Sequence, residues 1–278
     1  MDFCIITPTA GLERYATLSK THMVLQHIAD GDPAYKKFYM ERRKAGDTII
    51  LDNGSYEMDH PAFDPYLMGE LEPQITVLPD FFLQPWKKTW HAAIHHLDMY
   101  YDRWPTTEWC YIPQAEKGDL NGFLQSYTEA SEDRRISWIG IPRALAYAIS
   151  DNPLARVDFA RLVNRERPYL KLHAFGMVNG DIHEIPYLAA AGVRSIDSSA
   201  PVWRGWLCNK IDDRFDRGLW DREGIPVDFS RDEPLDGWDR TASWVINHNL
   251  EACGVRISDR QHVAAEGQNL EDSAGGHP

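Results

Sequence analysis

The sequence predicts an α/β protein, a (β/α)8 barrel of the TIM-barrel class with an irregular C-terminal extension, and three observations carry that prediction. A short apolar run that stops at a polar or ionisable residue, followed by a helix-like stretch of about twenty to thirty residues, recurs six times. Two earlier apolar segments bring the strand count to eight. The chain has 278 residues, 43% of them hydrophobic and 12% aromatic. A chain of that size can bury about 75% of its unfolded surface in one large domain.

The first strand is read at 3–7, ended by Pro8. A second apolar run at 23–28 completes the count, although six such residues suit a helix as well as a strand. The repeated runs follow at 48–52, 75–80, 109–114, 136–143, 169–173 and 193–197. Between the strands, helices are predicted over 33–44, 65–71, 86–101, 120–130, 153–165 and 182–191. Asp119 and Asn152 stand at N-cap positions, and Gly192 stands where a helix would stop. Beyond Pro201 the rhythm breaks. Residues 202–237 are rich in Trp, Arg and Asp and read as an extended surface segment or lid. An amphipathic helix is predicted over 241–252, with Trp244, Val245 and Leu250 among its apolar residues. The division expected is a catalytic barrel over 1–205, an extension packed on it over 206–259, and a disordered polar tail over 260–278.

Four cysteines, Cys4, Cys110, Cys208 and Cys253, are far apart and form no CxxC or Cys/His cluster. Neither a disulfide framework nor a zinc site is expected, and no cofactor is called for. The N-terminus carries an acid where a signal peptide has a basic region, and no apolar stretch approaches membrane-spanning length, so a cytoplasmic protein is expected. A net charge of −13 argues against a whole-surface grip on nucleic acid. Local basic clusters at Lys36-Lys37, Arg42-Arg43-Lys44, Lys87-Lys88 and Arg134-Arg135 are read first as solvated helix faces.

A (β/α) barrel opens every strand's C-terminal end onto one face, so Asp52, Asp80, Gln114 and Asp197 are predicted to share a pocket. Each aspartate has a plainer alternative: an Asp/Asn-Gly turn for Asp52, a helix cap for Asp80, a turn cap for Asp197. Taken together they suit transfer at a glycosidic bond. One carboxylate can attack an anomeric carbon, another can move a proton to the leaving base, and a carboxamide can read the edge of a heterocycle. His173, at a strand end, either faces the pocket or is a hydrogen-bonded core residue. Arg143 and Arg204 flank the expected mouth, as phosphate ligands or as partners of nearby acids. Trp203 and Trp206 either stack on an extruded nucleotide or pack the C-terminal segment onto the barrel. His91, His95 and His96 share a predicted helix without an acidic ligand motif, and metal binding is not expected of them.

The ordered series Leu51-Asp-Asn-Gly-Ser-Tyr-Glu57, Leu78-Pro-Asp80, Tyr111-Ile-Pro-Gln114, Trp138-Ile-Gly140, Leu172-His-Ala-Phe-Gly176 and Ser195-Ile-Asp-Ser-Ser199 resembles the tRNA-guanine transglycosylase superfamily. More narrowly, it is similar to the compact, often phage-encoded members implicated in placing 7-deazaguanines in DNA. The resemblance covers about residues 1–205. It implies that Asp197 is the nucleophile that attacks C1′, and that Asp52 is an acid that transfers protons at the exchanging base. It implies that Asp80 and Gln114 recognise the base edge, and that Gly140 lies where backbone N–H groups meet the base carbonyl. Tyr56 replaces the motif's usual aromatic, to stack near the heterocycle or to pack in the core. Asn53 and His173 complete the implied substrate-contacting set. Asn53, Ser55 and Glu57 replace the Ser, Gly and Gln of the family motif, which bears on base preference. Members acting on tRNA carry a C-terminal Cys/His zinc site, and nothing here has that spacing. The implied partners are nucleic acid, DNA in preference to tRNA, and a free 7-deazaguanine base, in the host cytoplasm if the chain is phage-encoded. An N-glycosidase or nucleoside-processing hydrolase is the competing reading of the same acids.

Overall fold

Eight short strands alternate with helices in the computed structural model, which describes residues 1–178, 181–207, 210–211 and 240–257. The strands are β1 (Asp2–Ile5), β2 (Thr21–Leu25), β3 (Thr48–Asp52), β4 (Ile75–Val77), β5 (Glu108–Tyr111), β6 (Ile136–Ile141), β7 (Lys171–Ala174) and β8 (Ser195–Ser198). The helices are α1 (Leu12–Tyr15), α2 (Gln26–Gly31), α3 (Pro33–Lys44), α4 (Ser55–Met58), α5 (Pro65–Leu71), α6 (Trp86–Tyr100), α7 (Leu120–Glu132), α8 (Ala155–Glu166), α9 (Glu184–Ala190), α10 (Ala200–Trp206) and α11 (Arg240–Ala252).

Every ladder is parallel, and the order β1-β8-β7-β6-β5-β4-β3-β2 sets each strand beside its successor, as a (β/α)8 barrel requires. The seam falls between β1 and β2, which lie side by side. There Thr21 Oγ1 donates to Asp2 Oδ2 at 2.8 Å.

Side chains alternate across each strand, which splits the core in two. Inside the barrel lie Cys4, Met23, Ile50, Val77, Cys110, Ile112 and Trp138. The opposite faces, with Ile5, Val24, Ile49, Leu51, Trp109, Tyr111 and Ile139, pack under the helices. Strands buried on both faces read as near-continuous apolar runs, which is why the sequence shows them plainly.

The helix starts follow their caps. Asp32 accepts from Ala34 N and Tyr35 N with Pro33 in the first turn, and Arg42, Arg43 and Lys44 close the other end of α3, where the helix dipole favours cations. Asp119 accepts from Gly122 N at the start of α7. Asn152 caps the turn before α8 through Leu154 N, so that helix begins at Ala155, two residues later than Pro153 suggests.

The largest difference from the sequence reading concerns the second strand. The run at 23–28 divides: the strand is Thr21–Leu25, and Gln26 opens a helix. Thr21 and His22 are polar yet buried, because Asp2 takes the Thr21 hydroxyl and Asp47 Oδ2 lies 3.1 Å from His22 Nε2. Their pairing is long-range and has no local apolar signal. His96, one of the three helical histidines, is a core residue against Phe63 and Trp109, and burial pushes its pKa down to about 4. Among the described residues no helix is long and apolar enough to cross a membrane.

Residues 212–239, most of the predicted lid, and the predicted tail from 260 lie outside the described residues. The helix expected over 241–252 is α11. It packs on α10, where Asn249 bridges the two segments by donating to Pro201 O and accepting from Ile211 N.

Candidate active site

Strand parity decides which side chains reach the barrel mouth. Ile50, Trp138, Lys171 and Ser195 alternate with outward neighbours, so Asp52, Gly140, His173 and Asp197 take the next inward places on β3, β6, β7 and β8. Asp80 and Gln114 follow the ends of β4 and β5. Register carries the same message across strands, with Cys4 opposite Asp197, Leu25 opposite Asp52 and Gly140 opposite His173.

Asp80 is the hub of one half of the site. Its Oδ1 accepts from Asn53 Nδ2 at 2.8 Å and Ser55 Oγ at 3.0 Å, and its Oδ2 accepts from Gln114 Nε2 at 2.7 Å. Asn53 also donates to Leu78 O and accepts from Ser55 N. Asp80 is thus an organiser of its neighbours rather than a helix cap. With its nitrogen committed to Asp80, Gln114 keeps one buried oxygen, Oε1, without a partner among the described residues. That oxygen is an acceptor held ready for a donor, since a buried acceptor left unpaired costs about 1–3 kcal/mol.

Asp197 anchors the other half. Its Oδ1 accepts from Gly176 N at 3.1 Å and lies 3.0 Å from His173 Nε2, while His173 Nδ1 lies 2.7 Å from Ser195 Oγ. The turn after β8 is capped by Ser198, whose Oγ accepts from Ala200 N. Asp197 is therefore free of the capping role. Asp52 retains part of its turn role, accepting from Gly54 N at 3.1 Å. Gly54 has φ +66°, and a Cβ there would approach Met58 and His27 within 3.0 Å, so the turn demands glycine. Gly140 is required by space: a Cβ would stand 2.5 Å from the Phe175 ring and 2.7 Å from Ile112.

Carboxyls dominate the electrostatics. Asp52 is held well above the usual carboxylate range by burial, and then by the charges of Glu57, Asp80 and Asp197. Glu57 is raised by burial and by Asp197, with Arg143 opposing. Burial also raises Asp80, against the bonds from Asn53, Gln114 and Ser55. The thiols of Cys4 and Cys110 are pushed up by burial and by the same aspartates, so they are poor nucleophiles. Among the described residues no group of His, Cys, Asp and Glu is arranged to hold a metal ion.

At the rim Tyr56 is 55% exposed, not a core residue; its ring meets Phe82 edge-on at 5.2 Å and carries the Arg143 guanidinium at 4.9 Å. Arg204 is different: it is buried within α10. Trp203 and Trp206 are buried too and pack edge to face at 5.7 Å, which is the packing reading of that pair. Sequence reasoning passed over Ser55, Glu57 and Ser195 as site residues. Ser195 follows directly from strand parity, two places before Asp197.

A cavity of about 440 Å³, lined by Asp2, Thr21, Thr48, Trp138, Arg194 and Ser195 among others, opens at the N-terminal ends of the strands, opposite the acids.

No protein-family model matches the sequence, and a search of curated proteins returns no match. Solved structures do match, among them thiamine phosphate pyrophosphorylase from Pyrococcus furiosus, at 10% identity and a TM-score of 0.40, over 69% of this chain and 77% of that one. The eight parallel strands and their order establish the TIM-barrel class for this chain.

Proposed function

We propose that this protein is a base-exchanging glycosyltransferase that replaces guanine in nucleic acid, DNA in preference to tRNA, with a 7-deazaguanine through a covalent aspartyl-glycosyl intermediate. The observation that carries this reading is the gathering at one barrel mouth of Asp197, with one oxygen unbonded among the described residues, and the raised carboxyls Asp52 and Asp80 beside Gln114. The Asp197 carboxylate attacks C1′ as the C1′–N bond breaks, and the bonding pair leaves with the base. A carboxyl whose pKa is raised still carries a proton where an ordinary one has lost it, so Asp52 can protonate the departing base. Asp52 then takes a proton from the incoming base, whose nitrogen attacks C1′ and releases Asp197. Gln114 Oε1 and the Asp80 hub set the donor pattern the heterocycle must match.

The rim supports a polymeric substrate. Lys88 Nζ lies 4.0 Å from the Phe81 ring centre, Lys87 Nζ 5.8 Å from that of Trp86, and Arg143 covers Tyr56. These residues stand on segments that follow β3, β4 and β6, at the same end as the acids. Cations interleaved with aromatics suit phosphates and unstacked bases, even on a chain of net charge −13. Preference for DNA rests on the likeness of the motifs between Leu51 and Ser199 to those of the compact DNA-modifying members of the superfamily.

The test is mass spectrometry of nucleosides from DNA and from tRNA, isolated from cells expressing the chain with a deazaguanine supply. A 7-deazaguanine in DNA, dependent on Asp197, is expected. Abasic sites in place of exchanged base would make the protein an N-glycosidase, and exchange in tRNA alone would overturn the preference for DNA.

A further inference from the structure

His173 is a candidate substrate contact by sequence, yet both its ring nitrogens are engaged within the protein. The ring and Ser195 are buried, at 1% and 2% exposure. Asp197 Oδ1 already receives the Gly176 N–H, and an oxygen in that position is an acceptor toward Nε2 as well. A proton on Nε2 satisfies that contact. In a neutral ring Nδ1 is then the lone-pair nitrogen, and the rotatable Ser195 hydroxyl is the donor 2.7 Å away.

We propose that His173 and Ser195 form a tautomer lock that positions Asp197, an inference that rests on reading Asp197 as the nucleophile. Ser195 donates to Nδ1 and fixes the proton on Nε2. The Nε2–H and the Gly176 N–H clamp Oδ1, and Oδ2, without a partner among the described residues, is the oxygen presented to the sugar carbon. The opposite tautomer would aim the Nε2 lone pair at Oδ1 across 3.0 Å in a buried site, where two facing acceptors repel. Backbone register builds the lock: His173 lies opposite Ser195 in the β7–β8 ladder, and Asp197 is the next inward residue on β8. Phe175 closes on the ring edge-on at 4.6 Å and restrains its rotation. Groups of this kind act through the ligand they orient, so His173 and Ser195 are positioning residues.

Two readouts on the full chain test the lock. Nitrogen-15 NMR of imidazole-labelled protein, without substrate, is expected to show His173 as a single neutral Nε2–H tautomer, and Ser195→Ala, which removes only Oγ, is expected to lose that uniformity. Covalent trapping on a guanine-containing oligonucleotide is expected to slow about tenfold in Ser195→Ala and about a hundredfold in His173→Ala, the span usual for loss of an orienting partner. Oligonucleotide affinity should stay unchanged, and His173→Gln, whose amide N–H can reach Oδ1, should recover most of the rate. A wild-type His173 found as Nδ1–H or as imidazolium overturns the lock, as does wild-type trapping in both Ser195→Ala and His173→Ala. A wild-type protein that forms no adduct at all defeats the nucleophile reading instead, and the NMR result still decides the tautomer.

Discussion

A carboxylate at a barrel mouth can be nucleophile, proton carrier or scaffold, and its hydrogen bonds decide among these. Asp80 has both oxygens occupied by Asn53, Ser55 and Gln114, which suits a scaffold. Asp52 has one oxygen on Gly54 N and a pKa raised by burial and then by its acidic neighbours, which suits acid–base work. Among the described residues Asp197 is clamped at Oδ1 alone. Asp197→Asn, nearly isosteric and able to keep the Gly176 bond, is therefore expected to fold normally and to form no glycosyl-enzyme. Asp52→Asn is expected to trap slowly, because loss of the proton donor slows departure of the base by about 10²–10⁴-fold without removing the nucleophile. Intact-mass analysis after reaction with a guanine oligonucleotide distinguishes the two variants, and an adduct mapped to Asp52 would reverse the roles. The three aspartates were legible in the sequence because each ends an apolar run. Their division of labour was implied only by the resemblance, because the hydrogen bonds that bear on it come from Ser55, Gly176 and His173, which meet them across strand boundaries.

Helices α8 and α9 show how the elements hold the mouth in shape. Arg156, on α8 and 1% exposed, donates through Nη1 to both oxygens of Glu184 on α9 at 2.9 and 3.0 Å. Its Nη2 reaches the carbonyl of Ile141 at 3.4 Å and that of Phe175 at 3.3 Å, at the ends of β6 and β7. Glu184 also accepts from Val178 N. One guanidinium thus straps together the segment that carries Gly176 and the strand that carries Gly140. Arg156→Met leaves the Glu184 carboxylate uncompensated, and removing one partner of a buried pair costs about 3–5 kcal/mol. Denaturant unfolding is expected to show that loss, and a double variant Arg156→Met/Glu184→Gln is expected to regain part of it. A single variant as stable as wild type would mean that the strap carries no load. Helices α3 and α5 could be bounded from their Asp-Pro starts, whereas Arg156 gave no sign among the many charged residues of a helix. A buried guanidinium announces itself only when its acceptors, 15 to 28 positions away, are brought beside it.

At the scale of the whole molecule, the barrel was readable because strands buried on both faces leave apolar runs at regular intervals, while the seam strand β2 was half hidden by its buried Thr21 and His22. The same architecture collects like charges: parallel strands deliver the C-terminal acids to one rim, and Asp52, Glu57 and Asp80 are all raised, chiefly by burial, with neighbouring carboxylates adding to the rise at Asp52 and Glu57. A carboxyl whose folded pKa lies above its unfolded value binds protons more tightly in the folded state. Its contribution to stability is fully present below the unfolded value of about 4 and is lost as pH rises through the folded one. Elsewhere the sign is opposite. Asp133 is lowered by Arg135, and Asp47, despite burial, by His22, Arg42 and Lys20; both stabilise above about pH 4 and lose that support as pH falls. Comparing wild type with Asp52→Asn cancels these other groups and isolates the mouth. At neutral pH the amide removes the cost of placing Asp52 where its ionised form is disfavoured, so the variant should melt higher, by about 2–4 °C for each kcal/mol relieved. Near pH 4, where the wild-type carboxyl is already protonated, the two melting temperatures should converge. Scanning calorimetry across that range is the measurement. A variant that melts below wild type at neutral pH, or by the same margin at both ends, would show that Asp52 is held ionised in the fold, and the proton it is assigned to carry would have to come from Glu57.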